Sequence, residues 1–336
     1  MKAATIKDVA REARVSVASV SRALNGGSGV TAETGQRIRE VAQRLRYVPH
    51  AAARMLITRR TNTVGALLPD LFGEFFSELI RGIDLAARAR GLHLLVSSSH
   101  DDAETAALAL RAMQGRVDGL LLMSPHADAD FLRQNLPQNI PTVLMNTRLS
   151  GTDYCSLSVD NGGGARLMVE HLLAQGRRRI AFIEGPAGNR DADQRKLGFR
   201  ESLASHHLAS DTFMLQGDFS EASGYRAGQQ LLAMKPRPDA VFASNDMMAI
   251  GCMTALREAG VRIPQDIAVG GFDDVPMARY VTPPLTTIQV HIADLGSQAM
   301  AWLGEQIDDP TGVRIGTRRK VDAELVVRAS SAVAPG

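Results

Sequence analysis

The sequence predicts two fold classes in one chain: an N-terminal all-α unit with a helix-turn-helix and a hinge helix, then an α/β core of two doubly wound parallel-sheet subdomains. Three observations lead there. Two short amphipathic segments lie close together near the N-terminus, over Thr5–Ala13 and Ser16–Leu24. Positive charge is gathered in residues 1–60, where twelve Lys and Arg face four Asp and Glu for a net +8; the whole 336-residue chain is only +2, so the remainder is acidic at −6. From Thr61 onward, apolar strand-like runs alternate with helical ones, the pattern of parallel sheets covered on both faces.

Thr5-Ile6-Lys7-Asp8 reads as a capping box, and Ile6, Val9, Ala10 and Ala13 then repeat at helical spacing. Arg14-Val15 is the expected link to the second helix. Ser16 caps that helix, Val20 and Leu24 form its apolar stripe, and Asn25-Gly26-Gly27 ends it. Its other face is thin, with Ala18, Ser19 and Ser21 beside one long cation, Arg22. Such a helix fits a DNA major groove. Thr31 caps a third helix, with Ile38, Val41, Ala42 and Leu45 on its inner stripe. Pro49 breaks the chain, and the helical piece from His50 to Leu56 is too short to be stable alone. The concentration of cations is the footprint of phosphate binding. A set of solvated helix faces would not leave the remainder acidic.

Residues 5–60 closely resemble the DNA-binding headpiece of the lactose/purine repressor (LacI-type) family. The matching pattern is Thr5-Ile6-Lys7-Asp8-Val9-Ala10, Val15-Ser16, Val20-Ser21-Arg22, Leu24-Asn25 and Tyr47-Val48-Pro49. The resemblance continues over nearly the whole chain through Leu68-Pro69-Asp70, Phe75-Phe76-Ser77-Glu78-Leu79, Ser158-Val159-Asp160-Asn161, Ser244-Asn245-Asp246 and Gly271-Phe272-Asp273-Asp274. It implies a periplasmic-binding-protein-like core and a dimeric repressor of carbohydrate-utilisation genes, on a near-palindromic operator and switched by a small sugar-like effector. It also implies DNA contacts from Thr5, Ser16, Val17, Ala18, Ser19, Ser21, Arg22, Asn25, Tyr47, His50, Ala53 and Leu56. In such proteins the hinge helix folds on operator DNA, with Leu56 at the position that wedges between base steps.

In the core, strands are expected at Val64–Leu68, Leu92–Val96, Gly119–Met123, Thr142–Met145, Ser156–Val159, Arg179–Ile183, Thr212–Leu215, Ala240–Ala243 and Ile267–Gly271. Helices are expected near 75–90, 103–115, 128–135, 162–175, 192–205, 221–234 and 246–259. The loop at 146–155 is expected to divide the series into two halves. A last helix at about 292–307 and a strand ending at Glu324–Val327 return to finish the sheets. The expected division is headpiece 1–48, hinge and linker 49–60, and core 61–336. Lobe one covers about 61–148 with part of the C-terminal segment; lobe two covers about 156–285 with the rest.

Two such halves place a ligand in the cleft at the carboxyl ends of their strands. The resemblance carries effector contacts onto Phe75, Phe76 and Phe219 as walls, Arg195 and Asn245 as hydrogen-bonding groups, and Asp273 as acceptor of hydroxyl protons. Asp70, Asn146 and Asp160 are further candidates. Plainer readings stay open: a surface ion pair for Arg195, a core position for Phe76, a turn for Asp70. Aromatic faces with Asp, Asn and Arg suit a neutral polyol. Arg190 together with Arg195 keeps a sugar acid or phosphosugar open, and a nucleoside or purine remains an alternative.

Enzyme classes find little support. There is no GxxxxGK[ST] phosphate loop, and Gly162-Gly163-Gly164 has the wrong spacing for a dinucleotide site and reads as a helix start. Cys155 and Cys252 lie far apart and are expected to be reduced, buried and inert; His206-His207 reads as solvated, and Asp273-Asp274 makes no convincing metal site. No cofactor, no metal and no catalysis are expected. No apolar run is long enough to span a bilayer, and Met1-Lys2-Ala3-Ala4 leads straight into a helix cap. The expected compartment is the cytoplasm, at the nucleoid when operator is bound, with no membrane partner. The end at Ala334-Pro335-Gly336 carries no leucine heptad, so the expectation is a homodimer.

Overall fold

The computed structural model describes residues 4–24, 29–47, 60–100, 102–124, 129–136, 140–147, 154–208, 213–309 and 316–332. The chain divides into two compact units, residues 1–62 and 63–336, two residues from the expected boundary.

The first unit holds α1 (Ile6–Glu12), α2 (Val17–Leu24) and α3 (Ala32–Arg44). Asp8 closes the capping box, accepting from the Thr5 N–H at 3.0 Å and the Thr5 hydroxyl at 2.7 Å. Ser16 Oγ accepts from the Ser19 N–H at 3.0 Å and starts α2. The link between α1 and α2 runs from Ala13 to Ser16, longer than the expected pair, with Arg14 at φ 55. Val9, Ala10, Ala13, Val20, Ile38, Val41 and Ala42 form the core, with Leu24, Leu45 and Tyr47 packed against it. The expected hinge piece with His50, Ala53 and Leu56 lies outside the described residues, as does Asn25.

The second unit begins with β1 (Thr63–Leu68), α4 (Glu74–Ala89), β2 (His93–Ser98), α5 (Ala103–Met113), β3 (Gly119–Met123), α6 (Ala129–Asn135), β4 (Thr142–Met145) and β5 (Cys155–Val159). It continues with α7 (Asn161–Ala174), β6 (Ile180–Ile183), α8 (Arg190–Ser205), β7 (Met214–Leu215), α9 (Glu221–Ala233), β8 (Ala240–Ala243), α10 (Asp246–Glu258) and β9 (Ala268–Gly270). A 3-10 turn at Pro276–Arg279 precedes β10 (Thr287–Gln289), α11 (Ile292–Asp308), β11 (Arg318–Val321) and β12 (Glu324–Val326). The expected strands and helices are present with ends shifted by up to two residues.

The first sheet has the order β11-β5-β4-β3-β1-β2, and the second β7-β6-β8-β9. Every pairing in both is parallel. The order reverses between β1 and β3 in one and between β6 and β8 in the other, and open α/β sheets bind ligands outside the carboxyl ends at such switch points. One expectation is corrected here. The loop at 146–155 does not divide the halves, because β5 pairs with β4 in the first sheet. The chain leaves that lobe at Asp160 instead, where Asp160 Oδ1 caps α7 by accepting from the Gly163 N–H at 2.8 Å. It returns as α11, which packs on α4, and again as β11, an edge strand that sequence periodicity missed. Arg318 and Lys320 make β11 too polar to read as a strand; it forms because β5 offers an open edge. A second expectation is corrected as well: β12 does not finish a large sheet but pairs antiparallel with β10 in a two-stranded sheet.

The α4–α11 contact is close enough to need glycine. A Cβ at Gly82 would lie 1.9 Å from the Ala293 carbonyl oxygen, and one at Gly296 2.5 Å from that of Leu79.

Candidate functional site

Helix α2 buries Val20 completely and leaves Val17 41% exposed, with Ser16, Ala18 and Arg22 also on the surface. Ser19 and Ser21 are half-buried. Arg22 Nε donates to the Ala18 carbonyl at 3.3 Å, which lays the side chain along its own helix. Thr5 is exposed at the start of α1, whereas Tyr47 is half-buried on the headpiece core.

The second unit carries a cleft of about 250 Å³ at the strand ends of both lobes. After β1 come Asp70, Glu74, Phe75 and Phe76; after β6, Asn189, Asp191 and Arg195. Phe219 follows β7, Asn245 follows β8 and Asp273 follows β9. Seven of the nine effector candidates therefore meet in one place. Phe75 and Phe76 pack edge to face with centroids 5.3 Å apart. Asp70 also serves its own turn, accepting from the Leu71 and Phe72 N–H groups at 2.6 and 3.2 Å. Asn245 caps α10 through the Met248 N–H at 3.0 Å and donates to the Phe219 carbonyl at 3.0 Å, so it fixes the aromatic wall.

At the centre, Arg195 donates from Nε to Asn161 at 2.8 Å and from Nη1 to the Ser244 carbonyl at 2.5 Å, while its plane covers the Phe272 ring at 3.8 Å. Nη2 lies 3.1 Å from Asp273 Oδ1, close enough for an ion pair. The contact is an ion pair without full hydrogen-bond geometry, and Oδ1 makes no other hydrogen bond. Burial pushes the Asp273 carboxyl up to about 6, against the pull of Arg195 and with help from the Asp191 charge. Burial likewise raises Asp191, and raises Asp246 well above the carboxylate range with Asp273 adding to it. Asp246 accepts from the Val275 N–H at 2.9 Å and holds the loop that carries Asp273. Phe219 at φ 70 and Asp273 at φ 108 sit in backbone regions that side chains rarely adopt. Such outliers cluster at binding sites, where surrounding contacts hold them.

Asn146 and Asp160 are not in this cleft. With Arg190 they line a second groove of about 330 Å³ on the face of β5 and β11. Asp160 is occupied there by its capping bond and by Lys320 at 2.8 Å; Asn146 accepts from the Val159 N–H at 3.2 Å. The cleft, not this groove, has the switch-point position, the aromatic walls and the buried Asp273 acceptor.

Asp191, in the polar run Asn189–Asp193 that the sequence places just before Arg195, lines the cleft and accepts from Asn161 at 2.9 Å. Two contributors escaped sequence reasoning. Glu74 reaches from α4 to accept from the Met277 N–H of the 3-10 turn at 2.8 Å, linking the two lobes. Asp218 enters beside Phe219. A glutamate at a helix start and an aspartate in a loop are too common to stand out. Cys155 and Cys252 are buried and form no disulfide, and burial pushes the Cys252 thiol up to about 12. His206 is partly exposed at the end of α8, 2.9 Å from Glu170. Among the described residues no group of three or more His, Cys, Asp or Glu is placed to hold a metal, and no helix is long and apolar enough to cross a membrane.

A basic helix-turn-helix unit on the same chain as a two-lobed core with a ligand-sized cleft defines a DNA-binding transcriptional regulator. Residues 5–50 match the family described as bacterial regulatory proteins, lacI family, and residues 169–331 match the periplasmic binding protein-like domain. The chain is 38% identical over 308 residues to the HTH-type transcriptional repressor PurR of Erwinia tasmaniensis, covering 90% of each. It is 36% identical to the ribose operon repressor of Escherichia coli (strain K12), covering 92% of this chain and 94% of the other. A lac repressor dimer solved with operator and the anti-inducer ONPF superposes with a TM-score of 0.89 at 28% identity, over 99% of this chain and 100% of that one. The protein belongs to the LacI family of bacterial transcriptional regulators.

Proposed function

We propose that the protein is a homodimeric repressor of carbohydrate-utilisation genes whose affinity for a near-palindromic operator is switched by a small sugar-like effector. The observation that carries this reading is the buried Asp273 Oδ1, which makes no hydrogen bond beyond its ion pair with Arg195, in a cleft that also holds Phe75 and Phe76 from the other lobe. A ligand that satisfies that oxygen and rests on those rings touches both lobes. It therefore binds one lobe arrangement better than the other and shifts the population.

On the DNA side, Val17, Ala18 and Arg22 read base edges: Arg22 pairs with a guanine, and the small apolar pair meets thymine methyls. Thr5, Ser16, Ser19, Ser21 and Tyr47 position the helix on the backbone, with Lys and Arg of the basic unit supplying affinity. Asn25, His50, Ala53 and Leu56 join them, with residues 1–48 as the headpiece and 49–60 as the hinge. The lac repressor dimer on operator supports the dimeric, DNA-bound form. The protein acts in the cytoplasm, at the nucleoid when operator is bound, without a membrane partner and without catalysis.

The test compares the full chain with residues 63–336 alone. Full-length protein binds operator with a steep salt dependence, and the headless core binds sugar but no DNA. Operator affinity retained by the core would overturn this reading.

A further inference from the structure

Six carboxylates line the cleft: Asp70, Glu74, Asp191, Asp218, Glu221 and Asp273. Arg195 is the single cation among the described lining residues. It is already engaged by Asn161, the Ser244 carbonyl, the Asp273 carboxylate and the Phe272 ring. Arg190, the second cation that the sequence offered to an acidic ligand, stands in the other groove with Arg166, Arg318 and Lys320. Arg190 thus lies outside the described lining of the cleft, although Asp191 lines both spaces and feels its charge.

A cleft lined by one sign of charge focuses its field on whatever enters. A carboxylate or phosphate there gives up its water and meets like charge, with no cation beyond the engaged Arg195 among the described lining residues to replace the water. Hydroxyl groups suit the same surface. Asp273 Oδ1 is buried and makes no hydrogen bond beyond its ion pair with Arg195, which leaves it lone-pair capacity for a hydroxyl donor. Phe75, Phe76 and Phe219 supply apolar faces for a ring. The volume of about 250 Å³ is the room of about eight waters, which fits one decorated ring. A purine base meets the same walls but offers few donors to a rim of acceptors.

We propose that the cleft takes an uncharged polyhydroxyl ring and rejects the anionic forms of the same skeleton, sugar acids and sugar phosphates alike. This rests on the reading of the cleft as the effector site.

The experiment is calorimetric titration of the full-length protein with matched series: ribose, ribonate and ribose 5-phosphate, then glucose, gluconate and glucose 6-phosphate, with hypoxanthine as an uncharged ligand that is not a polyol. The expected result is a neutral sugar that binds, with its acid and phosphate at least ~100-fold weaker. In Glu221→Gln the ratio between sugar and acid shrinks. An anion that binds as tightly as its neutral parent, and is lost in Asp273→Ala, overturns the charge rule and leaves the cleft reading standing. Sugar binding at parental affinity in Asp273→Ala overturns the cleft reading itself. Silence of every sugar, or binding of hypoxanthine alone, overturns the polyol assignment.

Discussion

Asp273 Oδ1 and Arg195 Nη2 lie 3.1 Å apart with only 7% and 5% of their side chains exposed, yet no donor meets that oxygen with hydrogen-bond geometry. Breaking a buried pair by removing one partner is costly, because the other charge is left uncompensated. The pair is therefore held in place by the fold, and Asp273 Oδ1 keeps lone-pair capacity beyond the ion pair.

The acidity of Asp273 makes the cleft pH-sensitive. Its native carboxyl is raised to about 6 from 3.8, chiefly by burial, with Arg195 opposing and Asp191 adding to the shift; Asp246 faces it from α10. A raised native pKa means that the folded state holds a proton the unfolded chain has lost. This group therefore favours the native state below about pH 4, and the contribution is lost as pH rises through about 6. Effector binding runs the other way, since the ionised carboxylate is the better acceptor. Effector titrations at pH 7.5 and pH 5 should give weaker binding at pH 5, and Asp273→Asn should flatten the difference. Equal affinities in the parent at both values would show that Asp273 does not receive the ligand.

Arg22→Ala should cost operator affinity ~1–3 kcal/mol and relax preference at one base pair. Binding-site selection on parent and variant checks this. An unchanged selected sequence would mean that α2 is placed in a different register.

Glu74→Ala removes the bond between α4 and the 3-10 turn of the other lobe. Effector affinity should fall by about 0.5–1.5 kcal/mol, the net worth of one hydrogen bond, while operator affinity without effector stays at the parental value. Paired titrations separate the two. A loss of operator affinity alone would assign Glu74 a different role.

Gly82→Ala drives a methyl into the Ala293 carbonyl oxygen. Overpacking of this kind costs about 1–3 kcal/mol. Denaturant unfolding of the variant should show a lower midpoint; an unchanged midpoint would mean that α4 and α11 move apart freely.

The elements of the core were legible because each carries its own signal. Gly119–Met123 and Ala240–Ala243 are short apolar runs, and helix starts at Asp160, Ser220 and Asn245 carry capping side chains. What stayed hidden was membership of a lobe. β5 reads the same whichever sheet receives it, and only pairing with β4 decides. The polar β11 lacks any apolar alternation, with Arg318, Arg319 and Lys320 in a row. In the site, family position found Arg195 and Asp273, but it could not tell that Asn146, Asp160 and Arg190 turn to the neighbouring groove. That outcome depends on where the chain crosses between lobes, a long-range property with no local trace.

The most direct measurement is an operator titration of full-length parent and Asp273→Ala, each with and without the sugar that the calorimetry identifies. Both proteins should bind operator equally without sugar, since the substitution lies in the core. The parent should change its operator affinity when sugar is added, and the variant should not at the same concentration, having lost a charged hydrogen bond of ~1.5–3 kcal/mol. A variant that responds at the parental concentration would contradict the account and make Asp273 a residue of the fold alone.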